Sequence, residues 1–112
     1  MLQSAYGVVF EVIMALNVTV PHEQLAAFCQ QHHITKLSLF GSILRDDFEP
    51  DSDIDVLVEF EPGHVPGLAF FAIQDELSAL FGRTVDLQTP QFLSKYFREA
   101  VQSEADVQYV AG

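Results

Sequence analysis

The sequence predicts an α/β (α+β) domain, a small mixed β-sheet flanked by helices. Short apolar runs at 36–40, 53–60 and 83–89 have the length and side-chain character of strands. Between the second and third, Phe70, Ile73, Leu77, Leu80 and Phe81 recur at helical spacing and stop at Gly82. Further helical patterns precede the first strand and follow the third.

Taken in order, residues 5–16, AYGVVFEVIMAL, are apolar but too few to span a bilayer, which takes about 20 residues. Gly7 and Glu11 interrupt the run, and no Lys or Arg precedes Lys36, as a secretory signal would need. The run reads as an extra strand or a loosely packed arm, or as an over-long start with translation beginning at Met14. The chain therefore divides into an N-terminal extension, 1–19, and a domain, 20–112. Pro21 suits the first position of a helix whose apolar face is Leu25, Phe28 and Cys29, through about His32. KLSLF is a strand, Gly41-Ser42 a tight break, and ILRDDFEP a short helix or turn ending at Pro50. After the second strand, EPGHVPG is a loop. Thr89-Pro90 is expected to cap the last helix, with Phe92, Leu93, Tyr96, Phe97 and Ala100 on its inner side, or else with rings such as Phe92 and Phe97 forming an exposed patch for a partner. The terminal DVQYVAG adds an edge strand.

The 112 residues suit one domain, and 49% hydrophobic composition is enough for a core. Sixteen acids stand against five Lys and Arg, a net charge of −11. Nucleic-acid backbones are bound by neutralising phosphates with Lys and Arg, so direct nucleic-acid binding is not expected. The acidity suits metal ions or a basic protein partner, and no membrane association is expected. The single cysteine, Cys29, allows no internal disulfide and reads as a small buried thiol, in keeping with a reducing cytoplasm. His22, His32, His33 and His64 have no zinc-site spacing, and His32-His33 suit a helix end.

The informative stretch is LFGSILRDDFEPDSDIDVLVEF. In a strand, residues i and i+2 share a face, so Asp53 and Asp55 project together and Ile54, Val56 and Val58 occupy the other side. Two close carboxylates repel unless a cation sits between them, and a hard cation such as Mg²⁺ leaves positions open for substrate phosphates. If the strand carrying Asp86 pairs beside 53–60, a three-carboxylate cluster results. Such a cluster can hold two metals about 4 Å apart, which assists displacement at phosphorus. Gly41 lets backbone approach a phosphate, the Ser42 hydroxyl and the following amides can donate to it, and Arg45 adds a planar cation. Each feature alone has a plainer reading: a turn, a solvated strand end, an exposed strand residue. Asp46, Asp47, Glu49 and Asp51 read as a solvated acidic loop. The combination points to carboxylates facing metals, and metals facing a triphosphate.

Gly41-Ser42, ten residues, then Asp53-Ile54-Asp55 resembles the signature of the DNA polymerase beta-like nucleotidyltransferase superfamily. The flanks, with GLAFFAIQDEL and GRTVDLQTP, resemble its minimal nucleotidyltransferases (MNT-type antitoxins) from about Val20 onward. The resemblance implies that Asp53 and Asp55 bind Mg²⁺ ions, two of them. Asp86 would share a metal and take the proton from the attacking hydroxyl. Gly41 and Ser42 would hold the β- and γ-phosphates of ATP, and Arg45 matches an arginine often found there. Many relatives carry Arg after the serine; Ile43 stands here, which implies weaker nucleotide binding. Larger members add a helical domain that this chain ends before, so a partner would present the acceptor. In the minimal group that partner is a HEPN-type ribonuclease toxin, which receives AMP on a tyrosine hydroxyl. The alternatives are a non-catalytic antitoxin that neutralises a basic toxin by binding, and, with no acceptor domain to favour it, an antibiotic-modifying nucleotidyltransferase.

Overall fold

A computed structural model of the chain describes residues 18–45 and 48–112. The expected arm or strand at 5–16, and Asp46 and Asp47 of the acidic loop, lie outside the described residues.

Helix α1 spans His22–Gln31 and buries Leu25, Phe28 and Cys29, the i, i+3, i+4 set that the spacing predicts. Pro21 is not its first helical residue. It stands at the cap with ψ 78°, where its carbonyl accepts the Leu25 N–H at 2.8 Å. His33, at φ 57°, then turns the chain into strand β1, Ile34–Phe40, two residues longer than KLSLF. A single 3₁₀ turn, Gly41–Leu44, follows. Strand β2 is Ile54–Phe60, so Asp53 falls one residue before it. Helix α2, Ala69–Phe81, buries Phe70, Ile73 and Leu77 and ends where Gly82 adopts φ 71°, as expected. Strand β3 is Val85–Gln88, helix α3 Lys95–Glu104, and strand β4 Asp106–Val110.

The sheet order is β3-β2-β1-β4. β1 pairs antiparallel with β2 and β4, and β2 pairs parallel with β3 through the α2 crossover. The predicted mixed sheet and the C-terminal edge strand are thus both present. Leu37, Leu39, Ile54, Val56, Val58, Val85 and Leu87 form the inner face, buried against α1 and α2. Alternation sends Ser38, Phe40, Asp55, Leu57 and Asp86 to the other face. Cys29 is fully buried, and burial pushes its thiol up to about 12.

The last helix departs from expectation. Residues 89–92 make only a turn, with Phe92 N–H donating to Thr89 O at 3.0 Å. Ser94, extended at ψ 151°, is the true cap, its hydroxyl accepting from Phe97 N–H. The Ser94 hydroxyl satisfies an otherwise open helix N–H, and the chain between Thr89 and Ser94 makes turns without continuing into a helix. Nor does α3 turn its apolar side inward: none of its residues is buried, and Phe92, Tyr96 and Phe97 are 64%, 90% and 66% exposed. The inner face of the sheet is already filled by α1 and α2, which leaves α3 at the margin. No described helix is long and apolar enough to cross a membrane.

Candidate active site

The site begins where β1 ends. Phe40 pairs with Asp55 across the antiparallel ladder, so the turn leaving β1 rises beside the start of β2. Gly41 opens that turn at φ 75°, and a Cβ there would lie 2.3 Å from Asp55 Oδ2. Glycine is required for both the backbone and the space. The Ser42 N–H donates to the Asp55 carboxylate. Ile43 is fully buried and pins the turn into the core, and Arg45 N–H closes it on Ser42 O at 2.9 Å. Ile43 therefore anchors the turn in the core.

Parallel pairing of β2 with β3 places Asp86 directly beside Asp55. Asp53 is exposed, just ahead of the strand. The Asp55 carboxyl is held above the usual range by burial, then by the Asp86 and Asp53 charges, against the opposing pull of Arg45 and the Ser42 amide. Among the described residues, no three Asp, Glu, His or Cys side chains are gathered tightly enough to cage a metal as they stand. The donor set nonetheless fits a hard divalent cation. It is all oxygen, and the charge on Asp55 is disfavoured by its two acidic neighbours until a cation offsets it.

The outer face of the sheet forms the floor of an open cleft of about 360 Å³. Asp55, Asp86 and Gln88 line one part, and Phe40, Phe92, Phe97 and Val101 line much of the rest. Gln88 Nε2 donates to Asp86 Oδ1 at 3.2 Å. Phe40 and Gln88 were not singled out from the sequence, although period-two alternation with Asp55's partners puts them on this face. The histidines are engaged elsewhere: His33 bonds Glu61 at 3.1 Å and stacks on His64 at 3.9 Å, and His22 bonds Gln108 at 2.8 Å.

Residues 22–107 match the nucleotidyltransferase domain family. The chain belongs to that family. As a nucleotidyltransferase it has a relative in Thermococcus cleftensis, protein adenylyltransferase MntA, 35% identical over 72 residues, covering 63% of this chain and 71% of the relative. A solved structure described as a minimal nucleotidyltransferase is 33% identical, with TM-score 0.64 over 75% of this chain and 85% of that one. A crystal structure of a toxin–antitoxin with AMP-PNP, 17% identical, shares the fold at TM-score 0.67 over 82% of this chain and 75% of that one.

One further residue of this nucleotidyltransferase escaped the sequence reading. Arg83 Nη2 donates to the carbonyls of Glu49, Pro50 and Ser52 at 2.8, 2.6 and 2.8 Å, and its guanidinium lies 4.4 Å from the centre of the Phe48 ring. The available signal was one basic residue opening an acid-bearing strand in a chain with only five Lys and Arg.

Proposed function

We propose that this nucleotidyltransferase uses Mg²⁺ and transfers AMP from ATP to a tyrosine hydroxyl of a HEPN-type ribonuclease toxin, acting as that toxin's antitoxin in the cytoplasm. The observation that carries the reading is Asp55, flanked by Asp86 in parallel register and by the bare backbone of Gly41. It is supported by the adenylyltransferase name of the Thermococcus relative and by AMP-PNP in a toxin–antitoxin of the same fold.

In this reading Gly41 and Ser42 bind the β- and γ-phosphates through amides and the hydroxyl, and Arg45 adds positive charge at the end of the turn. Asp53, Asp55 and Asp86 would hold Mg²⁺, which when bound supplies charge neutralisation for both the phosphates and the acids. Asp86, exposed in the cleft, accepts the proton of the attacking hydroxyl. The hydroxyl oxygen bonds to the α-phosphorus, the bond from that phosphorus to the bridging oxygen breaks, and pyrophosphate leaves. The chain's contribution is mainly position and charge, which phosphoryl-type transfer most requires. The exposed rings of Phe92, Tyr96 and Phe97 beside the cleft suit a protein that brings the hydroxyl in.

The same exposed rings, with the net charge of −11, favour a second reading, an antitoxin that neutralises by binding alone. Mass spectrometry of the toxin after incubation with this chain, ATP and Mg²⁺ separates the two. An added AMP is expected; a neutralised but unmodified toxin overturns the enzymatic reading in favour of binding.

A further inference from the structure

We infer that Arg83 is a positioning residue for the carboxylate site, a clamp that sets the strand start bearing Asp53 and Asp55 against the strand bearing Asp86. The inference rests on the reading of those acids as the transfer site.

Arg83 stands two residues before β3 and is itself held: its N–H donates to Ser78 O at 3.2 Å, and Val85 N–H donates to Ser78 Oγ at 2.9 Å. From that fixed base its guanidinium reaches across to the segment that runs into Asp53. One nitrogen, Nη2, meets the carbonyls of Glu49, Pro50 and Ser52. The loop closes around the cation, with Ser52 N–H donating to Glu49 O at 3.0 Å and Glu49 N–H donating to Ser52 Oγ at 2.9 Å. Ile54 N–H then donates to Thr84 O at 2.9 Å, beginning the β2–β3 ladder one residue after Asp53. Three carbonyl dipoles aimed at one point repel one another without a cation between them. Removing the guanidinium therefore loosens the loop, and the first residue to feel it is Asp53. Arg83 touches no reacting group in this scheme. It acts through the position of Asp53, and a displacement of about 1 Å in a reacting constellation can cost a hundredfold in rate.

The convergence on one nitrogen makes the role testable by rescue. An ammonium also offers several donors from one nitrogen, so Arg83→Lys should keep more function than Arg83→Ala. Free guanidinium should enter the space left in Arg83→Ala. Two measurements are needed. In the metal-free protein, hydrogen exchange at the Ser52 and Ile54 amides should quicken about tenfold or more in Arg83→Ala, while Leu37 and Leu39 in the central strand keep their rates. In AMP transfer, kcat should fall about tenfold or more and the KM for ATP should rise as well, since the displaced Asp53 is also one of the acids that hold the metal and nucleotide. Millimolar guanidinium chloride should restore both, and sodium chloride of equal ionic strength should not. Unchanged exchange in Arg83→Ala overturns the clamp. So does wild-type kcat in that variant, or a loss that neither lysine nor guanidinium repairs. A wild-type chain that transfers nothing, with exchange at Ser52 and Ile54 still quickened and restored, would sink the transfer reading and leave the clamp standing.

Discussion

Asp55 rests on Gly41 so closely that no side chain fits between them: a Cβ on Gly41 would lie 2.3 Å from Asp55 Oδ2. One contact thus joins the turn expected to hold phosphate to the acid expected to hold metal. Gly82 offers a control, because it shares the left-handed backbone at φ 71° but has nothing within 4 Å of its added Cβ. Gly41→Ala and Gly82→Ala should each lose about 1–2 kcal/mol from backbone strain alone. Only Gly41→Ala also pushes on Asp55, so only that variant should lose the rise in thermal midpoint on adding Mg²⁺ and ATP. Equal nucleotide stabilisation in both would show that Gly41 is merely a turn residue.

The same carboxyl predicts a pH dependence. Burial, Asp86 and Asp53 raise Asp55 above its ordinary 3.8. The folded chain then keeps a proton that the unfolded chain has released. The contribution of Asp55 favours folding below 3.8 and is lost as pH rises through its folded pKa. Asp55→Asn removes the ionisation, so the variant should be at least as stable as wild type at neutral pH while transferring no AMP. Its urea midpoint should decline less than that of wild type as pH rises from about 4 to 7. A variant markedly less stable than wild type at neutral pH would contradict this sign.

Asp86 separates binding from chemistry. Asp86→Asn keeps the shape, still accepts from Gln88, and loses the charge and most of the basicity. Nucleotide binding through Asp53, Asp55 and the Gly41 turn should persist, while single-turnover transfer slows at least about a hundredfold. Near-normal transfer would remove Asp86 from the site. Loss of nucleotide binding as well would make it a binding ligand, with the proton taken elsewhere.

The exposed rings on α3 should matter for the partner and not for the fold. Tyr96→Ser with Phe97→Ser should change stability by no more than about 0.5 kcal/mol each. Leu77→Ala, in the core, should cost about 2–5 kcal/mol. If these rings meet the toxin, the double variant should weaken its binding about tenfold or more, as buried aromatic anchors typically do. Calorimetry with the toxin and thermal melts of the free chain read the two effects separately, and unchanged affinity would place the interface on another face.

The sequence by itself determined the elements whose signals are local. Alternation from Asp53 to Phe60 marks a strand and puts Asp55 opposite Val56, and the stripe ending at Gly82 marks α2 and where it stops. The Gly41-Ser42 break is equally local, because a glycine in that place answers a backbone need within one turn. Only the tertiary structure decided which strands meet. Parallel pairing put Asp86 beside Asp55, and no spacing along the chain encodes a neighbour 31 positions away. The same holds for Arg83, whose partners are carbonyls of a distant loop and carry no side-chain signature. For α3 the local pattern left two readings open, a covered side or an exposed patch. Phe92, Tyr96 and Phe97 announce an apolar side, but an amphipathic stripe does not say what covers it. With α1 and α2 already filling the inner face of the sheet, that side of α3 was left to solvent beside the acids.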